Sequence, residues 1–161
     1  MVTIGLMSDT HGFLDEQVFT CFENCDEVWH AGDFGTLQLA ESLQSKFILR
    51  GVYGNIDGQD IRNIFPEELH FRCEYLNVYM KHIGGYPGKY EKGVKEKILS
   101  SGAGLFISGH SHILKIMYDK NTACLHMNPG AAGRQGWQTK RTLVRFVVEG
   151  SEIKNCEVIE L

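Results

Sequence analysis

TIGLMSDTHG, residues Thr3 to Gly12, is a short apolar run that ends abruptly in Asp9 and His11. Successive side chains of an extended chain alternate between two faces, so Asp9 and His11 should project the same way from the end of a strand, as a pair of metal ligands would. Taken alone, a capping aspartate followed by a surface histidine is the plainer account of an Asp-x-His. The case rests on whether other apolar runs end alike.

They do. Leu14, Val18, Cys21 and Phe22 fall at helical spacing and predict a helix to about Asn24. The run Glu27 to Ala31 follows and stops at Gly32-Asp33. Thr36 can cap a second helix buried through Leu39, Ala40 and Leu43, and Phe47 to Val52 reads as a strand closing at Gly54-Asn55. After a polar stretch with a turn of helix near Ile61 to Phe65, His70–Cys73 and Leu76–Met80 leave no room between them for a helix, which predicts a hairpin. The second strand delivers His82 and the IGGYPG loop, and Tyr90, Val94 and Ile98 mark a helix ending near Gly102. Leu105 to Ser108 then breaks at Gly109 into His110-Ser111-His112. The remainder alternates as paired strands would, roughly 115–119, 123–127, 141–148 and 153–159, with a glycine-rich loop from Asn128 to Lys140. Strand-helix units first and hairpins later predict an α/β fold of two packed mixed sheets with helices outside.

Composition bounds the function. At 161 residues, with no repeat, linker or low-complexity tract, the chain has the length of one domain, 1–161, with a buried core. A net charge of -4 argues against extended nucleic-acid or membrane surfaces, though not against a local cationic site. Five cysteines without a C-x-x-C pair read as buried thiols of a reducing compartment. The start lacks a charged leader and no apolar run reaches the length of a membrane span, so the expected location is the cytoplasm. A homo-oligomer is compatible with all of this.

Five apolar runs thus end in Asp9/His11, Asp33, Asn55, His82 and His110/His112, usually with a glycine alongside. In α/β sheets ligands bind at the carboxyl ends of the strands. Two aspartates, four histidines and an asparagine make a mixed nitrogen and oxygen set that suits Mn²⁺, Fe or Zn²⁺ better than Ca²⁺. Seven ligands exceed one tetrahedral ion and match two divalent ions sharing a carboxylate. Two such ions outweigh two aspartates and a hydroxide, so a phosphate would be drawn there. The expected reaction is phosphoester hydrolysis by activated water.

In order, D-x-H (Asp9, His11), G-D (Gly32, Asp33), G-N (Gly54, Asn55), a lone histidine (His82) and G-H-S-H (Gly109 to His112) resemble the calcineurin-like metallophosphoesterase superfamily, in particular its small bacterial and archaeal phosphodiesterase branch. The motifs run from Asp9 to His112, and the ordered set is far more specific than any member. The resemblance implies a four-layer αββα sandwich and two divalent ions, Mn first, with Fe, Zn or Ni as alternatives. It implies that Asp9, His11 and His112 hold one ion, that Asn55, His82 and His110 hold the other, and that Asp33 bridges them. Two positions depart from the pattern. Ile56 stands where many members carry a histidine that serves the leaving group, so diesters or phenolic esters are the expected substrates. His82 is followed by Ile83 instead of glycine, yet it fits better than His70, which falls mid-strand. Asp57 could replace the missing acid, although capping the turn at Gly58 is its preferred role.

The plainer readings apply elsewhere. His30 and His126 are expected to pack or hydrogen-bond behind the ligands. Tyr86, Tyr90 and Trp137 could stack on a nucleobase, but packing or plain exposure is preferred. Arg134 is read as a solvated loop residue before a phosphate contact. The rival function comes from another class: the resemblance extends to the retromer coat subunit, a protein-binding scaffold with a degraded metal site, and fold alone does not decide catalysis.

Overall fold

The computed structural model describes all residues, 1–161. In chain order the elements are β1 (Val2–Met7), α1 (Gln17–Cys21), β2 (Glu27–His30), α2 (Leu37–Gln44), β3 (Ile48–Gly51), α3 (Gln59–Arg62), β4 (Glu68–Cys73), β5 (Leu76–Lys81), β6 (Gly85–Tyr86), β7 (Lys89–Tyr90), α4 (Val94–Ser101), β8 (Leu105–Ile107), β9 (Lys115–Asp119), β10 (Cys124–Asn128), β11 (Thr142–Glu149) and β12 (Glu152–Glu160). They form two five-stranded sheets, β12-β11-β1-β2-β3 and β4-β5-β8-β10-β9, and a small hairpin of β6 and β7. In the first sheet β1, β2 and β3 run parallel. In the second β5, β8 and β10 do.

The period-2 pleat sorts the core into layers. Ile4 and Leu6 of β1, Trp29 of β2, Val78 and Met80 of β5, Leu105 and Ile107 of β8 and Phe146 of β11 fill the space between the sheets. Val28, one residue out of phase with Trp29, instead faces Val18 of α1, Leu39 and Leu43 of α2 and Ile61 of α3. Tyr79 and Phe106 face Val94 and Ile98 of α4 on the far side of the second sheet. The order is helices, sheet, sheet, helix, the four-layer sandwich expected. No helix is long and apolar enough to cross a membrane.

Several elements differ from expectation: α3 starts two residues earlier and ends at Arg62, and the IGGYPG loop opens a small hairpin, β6 with β7. The first helix is limited to Gln17–Cys21. Asp15 takes the Gln17 N–H on one oxygen and Arg141 on the other, and Asp26 takes the Thr3 N–H, so the chain is tied to β1 and β11 at both ends of a short excursion. Tyr90 does not head the fourth helix; it lies in β7, and Gly93, at φ 83°, separates it from Val94. Its hydroxyl instead donates to Asp119 at 2.7 Å. Thr36 caps α2 as predicted, accepting the Leu39 N–H.

Trp29 is the keystone between the sheets. It is fully buried, edge-on to Phe71 of β4 and Phe146 of β11 at 4.9 and 5.7 Å, with its N–H donated to Glu27. Trp29→Ala should cost about 3–5 kcal/mol of stability. The urea midpoint should fall at unchanged slope, and a loss within the scatter of surface substitutions would contradict this placement.

Candidate metal centre

The parallel strands of both sheets end on one side of the sandwich, and their loops interlock there. The Asp9 and His11 N–H groups donate to the Gly32 and Asp33 carbonyls, and the Gly109 N–H donates to the His82 carbonyl. One of the bonds that join the sheets spans 101 positions of sequence: the His110 N–H reaches Asp9 Oδ2 at 3.1 Å. Glycines permit the approach, since a Cβ on Gly54 would fall 2.0 Å from Asp33 Oδ1 and one on Gly109 would fall 2.3 Å from Ser8 Oγ.

All seven predicted ligands come together, though not by strand alternation. Asp9, His11, Asp33, His110 and His112 each hold a left-handed backbone, with φ of 55°, 46°, 58°, 70° and 61°. Asp9 and His11 therefore converge because both lie in a tight turn beyond β1, and His110 and His112 repeat this beyond β8. Left-handed non-glycine residues cost of order 1–3 kcal/mol each and mark sites where geometry is imposed.

Two clusters result, Asp9, His11, His112 and Asp33, His82, His110. Each carboxylate divides its oxygens. Asp9 Oδ2 accepts the Ser8 hydroxyl at 2.6 Å and the His110 N–H, while Oδ1 has no hydrogen-bond partner and lies 3.2 Å from His112 Nε2 and 3.8 Å from both His11 and His82 Nε2. Asp33 Oδ1 accepts the Ile56 N–H at 3.0 Å, while Oδ2 lies between the clusters, 3.4 Å from His11 Nε2 and 3.2 Å from His82 Nε2. Asn55 Oδ1 is 3.1 Å from both His82 Nε2 and His110 Nδ1.

The imidazoles are set from behind. His82 Nδ1 donates to the Ala31 carbonyl at 2.7 Å, and His112 Nδ1 donates to Gln138 Oε1 at 3.0 Å, with the Gln138 amide nitrogen anchored on the Gly133 and Gln135 carbonyls. That network assigns the tautomers and turns the Nε2 lone pairs of His82 and His112 inward. Acceptor atoms thus face one another with no donor between them, and His11 Nε2 is buried without a partner. This is the arrangement a cation completes, and the nitrogen and oxygen donor set fits a first-row divalent metal. Burial is the largest influence on Asp9 and opposes its ionisation, but His11, His112 and His82, where they carry a proton on Nε2 in place of a cation's charge, together with Ser8 hold its carboxyl well below the usual range. Asp33 is held below its ordinary value too, with burial outweighed by His82 and the Ile56 amide.

Residues expected behind the site sort themselves. His30 Nδ1 accepts the Gly32 N–H and its Nε2 meets Thr10 Oγ1 at 3.0 Å, while its ring stacks on Phe34. Burial pushes His30 down to about 3, so it is a neutral brace for the Asp33 turn. His70 stacks on Tyr79 at 4.3 Å, outside the clusters. Arg134 stacks on Phe13 at 3.9 Å, and Trp137 is fully exposed. Asp57 neither joins a cluster nor caps α3, whose Gly58 start has no side-chain cap. It is buried, with Oδ2 accepting the Phe34 and Gly54 N–H groups and Oδ1 accepting that of Gly35. With both oxygens committed to amides it staples the Asp33 and Asn55 loops together. Sequence reasoning missed Gln138 and Arg62, which donates to the Asp57 and Asn55 carbonyls. Neither sits in a motif, so only a polar residue in a glycine-rich or irregular segment could have hinted at them.

Residues 2–151 match the calcineurin-like phosphoesterase superfamily domain. A probable metallophosphoesterase of Methanothermobacter thermautotrophicus is 30% identical over 114 residues, which are 68% of this chain and 66% of that relative, just under two thirds of its length. A predicted phosphoesterase from Streptococcus pneumoniae TIGR4 superposes with a TM-score of 0.74 at 22% identity, covering 99% of this chain and 89% of that one. Entamoeba histolytica Vps29 complexed with zinc superposes with a TM-score of 0.71 at 15% identity, covering 98% of each.

Asp57→Ala should destabilise the protein by about 3 kcal/mol or more, because it strands three amide donors. Asp57→Asn, which keeps one acceptor oxygen, should lose less. Urea denaturation ranks the two, and equal, small losses would show that the staple does not hold the loops.

Proposed function

The chain belongs to the calcineurin-like phosphoesterase superfamily, and we propose that it is a phosphodiesterase that hydrolyses a small phosphoester with two divalent cations. Asp9, His11 and His112 would hold one cation, and Asn55, His82 and His110 the other. The observation that carries this is Asp33 Oδ2, which lies within 3.4 Å of His11 and 3.2 Å of His82 and so can serve both. When bound, such ions supply positive charge for phosphoryl oxygens and acidify water enough to provide a nucleophile near neutral pH.

The chain's own residues supply position. Ile56 and Ser8 fix the outer oxygens of Asp33 and Asp9, Ala31 and Gln138 fix the rings of His82 and His112, and the inner atoms are left in register for the cations. Ile56 offers no proton for a leaving group, and its side chain is half exposed. Asp57 is committed to amides and does not replace it. Esters whose leaving groups depart unprotonated therefore suit the site, and aryl diesters should turn over much faster than alkyl phosphomonoesters. Manganese is the proposed metal, with iron, zinc or nickel as alternatives, and the cytoplasm is the proposed location.

The second reading is a protein-binding scaffold of the same fold. The likeness to a zinc-bound Vps29 favours keeping it in view and means that metal retention alone does not separate the two. Turnover does. Protein stripped with a chelator should lose hydrolysis of bis(p-nitrophenyl) phosphate and regain it on adding Mn²⁺, and Asp33→Ala should lose at least about 100-fold. A metal-loaded, folded protein that hydrolyses no phosphomonoester, diester or cyclic nucleotide would leave the scaffold standing.

A further inference from the structure

A cavity of about 240 Å³ borders the second cluster at Asn55 and His82. Tyr53 and Ile83 are its apolar members, and Arg62, Lys81 and Glu67 are its charged ones. The chemistry proposed above uses none of these five residues.

Arg62 is what makes the cavity a site. Its Nε donates to the Asp57 carbonyl at 2.7 Å, its Nη2 donates to the Asn55 carbonyl at 3.4 Å, and its guanidinium lies over the Tyr53 ring at 4.5 Å. Three contacts fix the fork, and none is a carboxylate. Arg50, Arg141 and Arg145 are each matched to an acid, Glu27, Asp15 and Glu157, whereas no carboxylate lies within 4.0 Å of Arg62, and its Nη1 makes no hydrogen bond. Carbonyls supply only partial charge, so the guanidinium keeps its positive charge unmatched. A planar, always protonated donor set held in place beforehand is well suited to an oxyanion. Lys81 adds a second cation. Its one acid is Glu68 at 3.9 Å, and Glu68 is already shared with Lys97 and the Tyr79 hydroxyl. Against these two cations the cavity sets a single carboxylate, Glu67, which leaves one positive charge in a chain whose net charge is -4. The volume falls below the roughly 300–1,000 Å³ of drug-sized sites and suits a compact charged group. Asn55 sets its distance from the clusters. The side-chain oxygen of Asn55 lies 3.1 Å from His82 Nε2 and from His110 Nδ1, while its carbonyl holds Arg62, so the two places are one residue apart and a linker of about three atoms spans them.

We propose that Arg62, with Lys81, binds a second oxyanion of the substrate, so that the phosphoester this protein prefers carries a carboxylate or a further phosphoryl group a short linker away from the phosphorus. The inference rests on the phosphoesterase reading and names its substrate class. Glu67 opposes the same anion and sharpens the choice between charged and neutral substituents.

The test compares three p-nitrophenyl phosphate diesters whose second substituent is butyl, 3-carboxypropyl or 3-phosphonopropyl. In each, water forms the new P–O bond, the bond to p-nitrophenolate breaks, and the substituent stays on the phosphate, so the leaving group is constant. Metal-loaded wild type should favour at least one anionic ester over the butyl ester in kcat/KM by about 10-fold or more, and the larger preference tells carboxylate from phosphoryl. Arg62→Gln should pull that ratio toward one. Glu67→Gln, an exposed position outside the three cores, should raise it with little risk to folding. If Arg62 only braced the Asn55 loop, its loss would slow all three esters equally, and that result overturns the inference. So does a wild-type ratio near one, or a ratio unmoved in both variants. A second readout is independent of turnover: in zinc-loaded protein, 3-phosphonopropionate should shift the Arg62 Nε–H resonance, and propylphosphonate should not. If that shift appears while no ester is hydrolysed, the oxyanion site stands and the hydrolase reading fails. Hydrolysis with neither preference nor shift overturns the oxyanion site and leaves the hydrolase reading intact.

Discussion

Two carboxylates buried at the meeting edge of two sheets are the constraint on which this molecule turns. Asp9 is fully buried and Asp33 is 2% exposed, and each has only one oxygen satisfied by protein donors other than histidine. A buried charge with half its acceptor capacity unmet is strongly unfavourable unless a charge partner lies close. The surrounding structure follows from holding that arrangement in place. Left-handed turns deliver five of the side chains, glycines let Gly54 and Gly109 pass within contact of them, and Asp57 gathers three amides so that the Asp33 and Asn55 loops cannot separate. The site therefore costs the fold stability, and the apolar layer around Trp29 offsets that cost. On the proposed reading, two cations would reverse the sign of the local electrostatics.

Much of this is legible in the chain because it is written locally. A strand that stops at a glycine and a carboxylate or histidine is visible within a few residues, and its recurrence in one order carries both the sandwich and the cluster. The hairpin of β4 and β5 is equally plain, since two residues cannot hold a crossover. What escapes is written at long range. Gln138 orients His112 from 26 positions away, and Asp57 acts on amides 22 and 23 positions before it. No periodicity or spacing records such bonds. Strand alternation predicts the pairing of Asp9 with His11, whereas the chain leaves the strand at Met7 and brings the two together by positive φ. The glycine-rich loop after Asn128 reads in sequence as an interruption between strands and proves to be a buttress, with the Ala132 and Gly133 amides bonded to the Ser8 and Asp9 carbonyls.

The two clusters are unequal, and the inequality has a direction. Asp9, His11 and His112 are closed in, with 0%, 12% and 16% of their side chains exposed. In the other cluster Asp33 and His82 are as deeply buried, but His110 is exposed. A ligand can therefore approach along the His110 side, where Gly109, His110 and Ser111 form the shared wall between the cluster and a cavity of about 270 Å³. The other flank of Asn55 opens as well, into a cavity of about 240 Å³ lined by Tyr53, Arg62, Glu67 and Lys81, where the Arg62 guanidinium bonds two loop carbonyls and lies over Tyr53. A phosphoester seated at the clusters must send its substituent somewhere. With the first cluster enclosed, the open directions are the two flanks of the second, one along the His110 wall and the other past Asn55 toward Arg62.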